Sequence, residues 1–271
     1  MLLLKYHGTT TIPVEAECIT PDNLADKTAA EVAALPVQHG NAPAALGDFF
    51  HVEGDAGDGE VVLEGDCGRV KWAGAGMTGG RLTVRGNVGM HLGAEMKGGE
   101  IRVDGNAGDW VGAEMRGGRI HVHGDAGHLV GAAYRGSRLG MRGGVILING
   151  RAGNEIGGTM RRGLIAIGGA SGDFAGVSLI AGSVFLFGPC GVRPGAGMKR
   201  GTLAFAGTRP ALLGTFRYAC TYRPVFLALY LRRLKAWGLP VEDRFLKGNW
   251  RRYCGDLVAL GKGEALVWEE G

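Results

Sequence analysis

The chain has no closely spaced cysteines. Its five (Cys18, Cys67, Cys190, Cys220 and Cys254) are scattered and odd in number, and none forms a C-x-x-C pair. Neither a disulfide scaffold nor a thiolate zinc site is indicated, and reduced thiols in a cytoplasmic protein are the expectation. Proline is scarce, with 9 residues, and the glycines keep no three-residue period, which excludes a collagen-like rod. No apolar run approaches the roughly 20 residues of a membrane-spanning helix. MLLLKYHGTT lacks a long signal-type apolar stretch, and Val225–Leu231 is too short to span. The net charge of +4 is too small for a general nucleic-acid binder. What charge there is concentrates in 209–271, where eleven Lys/Arg face six acids. No G-x-S-x-G, H-E-x-x-H or P-loop appears, so nothing nominates a catalytic nucleophile, base or metal set.

Glycine is what the chain has in excess, 52 of 271 residues. The glycines belong to a repeat. RLTVRGNVGMHLGAEMKGG (81–99) is followed by EIRVDGNAGDWVGAEMRGG (100–118), and related units run on to TLAFAG at 202. The glycine after each strand-like stretch falls at 65, 86, 105, 124, 150, 169, 188 and 207, at intervals of 21, 19, 19, 26, 19, 19 and 19. Each unit opens with period-two alternation, as in Leu82/Val84, Ile101/Val103, Ile146/Ile148 and Leu203/Phe205. Units of this length, each able to bury its apolar face only against its neighbours, predict an all-β chain: a right-handed parallel β-helix of about eight 19-residue coils. Three parts are expected. Residues 1–47 form an N-terminal segment with one helix (over 20–35, behind Thr20 and Pro21) and a cap. Residues 48–208 form the β-helix. Residues 209–271 form a basic tail with a helix over 222–237 that caps the coils or docks on their side, then an extended stretch suited to partner contact and separable from the coils.

Six of the eight methionines (Met77, Met96, Met115, Met141, Met160, Met198) share one repeat position, and Leu179 fills it in the remaining coil. An internal apolar stack explains them better than a metal site, because no His or Cys column accompanies them. GAGMTG (74–79) matches G-x-G-x-x-G but precedes no helix, and the repeat already accounts for its glycines. His121 and His123 fall on outward strand positions, where solvated histidines are expected rather than a metal pair. The position after the methionine reads Thr78, Lys97, Arg116, Arg142, Arg161, Ile180, Lys199. Four consecutive coils carry a cation there, an unfavourable arrangement unless solvated, matched by Glu95 and Glu114 nearby, or covered by something anionic. The insertion within 132–140 adds Tyr134, Arg135 and Arg138 beside Arg142, and a loop that interrupts a regular coil is a candidate contact site.

The motifs GAEMKGGEIRVDGNAGDWVGAEMRGG and GAAYRGSRLGMRGG resemble the C subunit of formylmethanofuran dehydrogenase over roughly 45–207, including the seven-residue insertion. The terminal repeat domain of the glutamate synthase large subunit is a wider relative without that insertion. The resemblance implies a non-catalytic, cofactor-binding scaffold lodged among larger subunits, with no active site of its own: a metallohydrolase-like A, a molybdopterin-enzyme-like B and a formyltransferase D. It implies a methanofuran-type (methylofuran) formyl carrier in one-carbon metabolism, with no metal in this chain. The basic tail leans toward the bacterial formyltransferase/hydrolase branch; a molybdenum or tungsten dehydrogenase proper and a purely structural domain stay open. Furan carriers of this type bear glutamate-rich anionic tails, and Lys97, Arg116, Tyr134, Arg135, Arg138, Arg142 and Arg161 are the residues expected to hold one.

Overall fold

The computed structural model describes residues 1–269. The chain is mostly strand, as the all-β reading requires. In chain order the elements are β1 (Leu2–Tyr6), β2 (Val14–Glu15), α1 (Pro21–Leu24), α2 (Ala29–Ala33), β3 (Pro36–His39), β4 (Ala42–Ala45), β5 (Phe50–Gly54), β6 (Glu60–Glu64), β7 (Val70–Lys71), β8 (Arg81–Arg85), β9 (Glu100–Val103), β10 (Arg119–Val122), β11 (Arg142–Ile148), β12 (Arg162–Ile167), β13 (Ser183–Leu186) and β14 (Thr202–Phe205). After these come β15 (Arg217–Tyr222), α3 (Val225–Ala236), α4 (Asp243–Lys247), β16 (Asn249–Gly255) and β17 (Gly263–Glu269). A 13-stranded sheet runs β15-β16-β17-β14-β13-β12-β11-β10-β9-β8-β6-β1-β5, open at both ends, beside a four-stranded sheet β4-β3-β2-β7.

From β6 to β14 every neighbouring pair is parallel and displaced by one sequence repeat, so Val61, Leu82, Ile101, Ile120, Ile146, Ile165, Val184 and Leu203 stand in one row. All eight are buried, as are the members of the second row, from Leu63 and Val84 to Phe205. Between strands the chain keeps the same register. Single parallel bridges link Cys67, Val88, Ala107 and Ala126, and further on Ala152, Ser171 and Cys190. At the next turn Gly93, Gly112, Gly131, Gly157, Gly176 and Gly195 each donate to a carbonyl one repeat earlier. Side chains add a ladder of their own: Asn87 Oδ1 accepts from Asn106 N, Asn106 Oδ1 from Asp125 N, and Asp125 Oδ1 from Arg151 N, at 2.7–2.9 Å.

Rungs from outside the repeat extend the rows. Leu2 and Leu4 align with Val61 and Leu63, and Ala265 and Val267 align with Leu203 and Phe205. The C-terminal stretch is therefore paired into the sheet. Its Ala265/Val267 alternation faces the inner core, while Trp250 and Leu266 join the cluster on the opposite face.

The helical segment 20–35 is two short helices. Thr20 caps the first, accepting from Asn23 N. Thr28 opens the second in a reciprocal capping box with Glu31. Helix α3 docks on the side of the sheet. Leu227, Leu231 and Leu234 pack on Leu147, Leu164, Ala166, Phe185 and Ala204, the outward positions of the later strands. No described helix is long and apolar enough to cross a membrane.

Candidate functional site

The methionine column is fully buried, Leu179 included, so the residue that follows it is turned outward. Thr78, Lys97, Arg116, Arg161 and Lys199 are exposed and Arg142 is half-buried. Their backbones lie in strict register. Lys97 N donates to Met77 O at 2.8 Å, Arg116 N to Met96 O at 2.7 Å, Arg142 N to Met115 O at 2.6 Å, and Arg161 N to Met141 O at 2.8 Å. Successive cations therefore sit about one strand spacing, ~4.8 Å, apart. Glycine follows the cation in the middle repeats because there is no room for more: a Cβ on Gly117 or Gly143 would overlap the carbonyl of Lys97 or Arg116.

The cations are neutralised unevenly. Arg116 pairs with Glu95 at 3.2 Å. Thr78, at the head of the column, bonds Asp22 through its hydroxyl at 3.0 Å. Arg142 Nε is enclosed with no hydrogen-bond partner among the described residues, an uncommon state for a buried donor.

Of the seven sequence-predicted residues, Lys97, Arg116, Arg142 and Arg161 form the column and the loop residues part from it. Arg135 lines a cavity of about 430 Å³ with Trp110, Glu155 and Thr159, Arg138 is exposed nearby, and Tyr134 folds back onto an aromatic stack that the sequence reading missed. There the rings of Trp72 and His91 lie 4.2 Å apart at 10°, those of His91 and Trp110 6.2 Å apart at 18°, and those of Trp110 and Tyr134 4.8 Å apart at 29°. Trp72, His91 and Trp110 share one repeat position and take left-handed backbone angles, φ 66°, 65° and 65°. That position costs a side chain strain, but the turn imposes it, because Leu129, Glu155, Phe174 and Arg193 in later repeats adopt it too. The nineteen-residue spacing of the three rings was the available signal. Burial, reinforced by the Lys71 charge, lowers the His91 pKa. Burial also raises that of Tyr134, aided by Glu114 and Glu95, so both rings are held neutral.

His121 and His123 are not solvated as expected. Both are half-buried and stacked 4.3 Å apart. Asn149 Oδ1 is hydrogen-bonded to His121 Nε2 at 2.9 Å, and Asn149 also reaches Gly238 O beyond α3; the C-terminal segment covers this face. No group of three or more His, Cys, Asp or Glu suited to a metal ion occurs among the described residues. A groove of about 630 Å³ runs along Glu60, Arg81, Glu100 and Arg119 to Trp237. Its charges alternate and pair at 2.9, 3.8 and 2.6 Å, so it is already satisfied.

No protein-family model matches the chain. Among curated proteins, the C subunit of tungsten-containing formylmethanofuran dehydrogenase 2 from Methanothermobacter wolfeii is 42% identical over 86 residues, 30% of this chain and 32% of that protein. The C subunit of molybdenum-containing formylmethanofuran dehydrogenase 1 from Methanosarcina barkeri is 40% identical over 85 residues, 30% of this chain and 28% of that protein. The chain thus aligns with about a third of the length of these relatives. Likeness to a solved structure is far more extensive. A chain of the formyltransferase/hydrolase complex (FhcABCD) from Methylorubrum extorquens, in complex with methylofuran, superposes with a TM-score of 0.92 at 36% identity, covering 99% of this chain and 100% of that one.

Proposed function

This chain belongs to the family of formylmethanofuran dehydrogenase C subunits and their formyltransferase/hydrolase counterparts, and from that premise we propose that it is the non-catalytic scaffold of a formyltransferase/hydrolase complex that acts on a formylated furan cofactor. Its partners are the A, B and D subunits of such an assembly, and its cofactor is a methylofuran-type carrier. The chain winds as a right-handed parallel β-helix of about eight coils over 48–208, flanked by the segments 1–47 and 209–271. Three rows of contacts at one-repeat displacement support that winding. The likeness along the whole chain to the formyltransferase/hydrolase structure favours this branch over a molybdenum or tungsten dehydrogenase, whose similarity is confined to about a third of the chain.

A carrier of this type, when bound, would bear the formyl group. This chain's residues do something simpler: they hold the anionic tail. The observation that carries this reading is the in-register column Lys97–Arg116–Arg142–Arg161, with Arg142 Nε unpartnered among the described residues. Tyr134, Arg135 and Arg138 of the insertion flank the track rather than extend it. Each exposed ion pair contributes little, about 0.2–1 kcal/mol, but several pairs on one polyanion act together through effective concentration. The test is the affinity of the whole complex for its carrier at two salt concentrations, for wild type and Arg116→Ala/Arg142→Ala. The variant is expected to bind more weakly and with a shallower salt response, because fewer exposed charges remain for salt to screen. Equal affinity and equal salt response would leave a purely structural subunit.

A further inference from the structure

Three of the four rings in the aromatic stack can be oxidised by one electron, and all of them meet at Tyr134. Its ring lies 6.0 Å from that of Trp72, 5.6 Å from that of His91 and 4.8 Å from that of Trp110. An electron crosses gaps of this size readily. The phenol hydroxyl has one hydrogen-bond partner among the described residues, His91 Nδ1 at 3.0 Å. That distance is inside the roughly 2.6–3.2 Å over which a side chain can take up a proton. His91 is held neutral by burial, so with its proton on Nε2 the facing Nδ1 is free to accept.

This pairing matters because a phenol cannot simply lose an electron. Its radical cation is a very strong acid, and oxidation near neutral pH needs a base already in place. Here the base is preset. The positive charge that the imidazole would gain also has neighbours to offset it. Glu15 and Asp109 face His91, against Lys71, and Glu17, Glu95 and Glu114 surround Tyr134. Packing alone would ask only for a flat ring at 134. The cavity of about 430 Å³ lined by Trp110 and Tyr134 gives small solutes access to the stack.

We propose that Trp72, Trp110, Tyr134 and His91 form a one-electron redox relay. An oxidant of the carbonate-radical class takes an electron from the Trp110 or Trp72 indole and becomes carbonate. The Tyr134 phenol passes an electron to that indole and restores it, while its proton moves along the existing hydrogen bond to His91 Nδ1. The products are a neutral Tyr134 phenoxyl radical and an imidazolium at His91. A reductant of the thiolate class returns one electron, leaving as a thiyl radical, and His91 gives the proton back. The relay would draw oxidising equivalents away from the core, where Met77, Met96 and Met115 are fully buried and a sulfoxide would put a polar group into an apolar stack. It is independent of the cation column.

The experiment generates azide radicals, which oxidise indoles selectively, by pulse radiolysis in a solution of the full chain at neutral pH. Conversion of indolyl into phenoxyl absorption is followed in time. Wild type is expected to show a fast first-order phase whose rate is independent of protein concentration and falls in D2O. Tyr134→Phe is expected to lose that phase. His91→Phe, which keeps a ring in the stack, is expected to slow it at least tenfold and to abolish the isotope effect. Tyr253→Phe, far along the chain, is expected to leave the rate within twofold. A phase that persists in Tyr134→Phe, or an unchanged rate and isotope effect in His91→Phe, overturns the relay and leaves the rings as packing. Wild type alone gives a second readout: the freeze-trapped phenoxyl is expected to show an exchangeable hydrogen-bonded proton in high-field electron paramagnetic resonance. A phenoxyl without that proton overturns the relay too.

Discussion

Tyr134 leaves the inserted loop to meet His91, 43 positions earlier, its hydroxyl 3.0 Å from Nδ1. The imidazole has Trp72 stacked on one face and Trp110 on the other, with the phenol hydroxyl at its edge. Its folded pKa is lowered by burial, so the unfolded chain takes up the proton more readily than the folded one. The stability this contributes is complete above the unfolded value of about 6.5 and is lost as the pH falls from there through the folded pKa. His121 is lowered by burial as well and has the same sign. The melting temperature is expected to decline between pH 7 and pH 5, less steeply in His91→Phe than in wild type. An unchanged slope in that variant would separate His91 from the effect.

Met115 is fully buried between the columns above and below it. Met115→Ala is expected to cost about 2–5 kcal/mol in chemical denaturation. Met115→Asp, an unpaired carboxylate in an apolar stack, is expected to abolish soluble expression. Near-normal melting of Met115→Asp would show that the column does not pack inward.

Asn106 both gives and takes in the side-chain ladder: its N–H donates to Asn87 Oδ1 and its own Oδ1 accepts from Asp125 N. Removing the acceptor in Asn106→Ala leaves one backbone donor without its partner, a loss of about 1 kcal/mol. Asn106→Asp keeps the acceptor and is expected to lose less than half as much in the same urea titration. Equal losses would mean that the rung is not held by this oxygen.

Leu231 is fully buried between α3 and the outward face of the later strands. Leu231→Asp is expected to release the helix while the inner rows stay paired. The readout is hydrogen exchange: fast exchange confined to 225–236 with β8–β10 still protected. Uniform loss of protection would instead make the helix essential to the coils.

The inner rows were legible because an alternating pair repeated every nineteen residues has one arrangement that buries both members. Leu2/Leu4 and Ala265/Val267 obey the same alternation, but no glycine signature marks them, so their place in the sheet was hidden. The docking site of α3 was written in Leu147, Leu164, Phe185 and Ala204, apolar where earlier coils are polar, a change that periodicity alone does not interpret. The cation column could be read from spacing. The groove of about 530 Å³ at its far end could not, because Tyr230 and Leu260 reach it from segments that carry no repeat. Tyr134 stands among the cations in the sequence, and its ring also joins those at 72, 91 and 110, a contact that proximity along the chain does not reveal.

Parallel rungs in fixed register also act as a ruler. Distances along the stack come in whole strand spacings, so the gap between Arg161/Arg162 and Lys199/Arg200 can be changed only in increments of about 4.8 Å. Excising the coil that carries Ile180 would bring the two pairs onto adjacent rungs, and duplicating it would part them by three. A chain built this way can be lengthened or shortened by gain or loss of one nineteen-residue unit, with no residue in either cation pair altered.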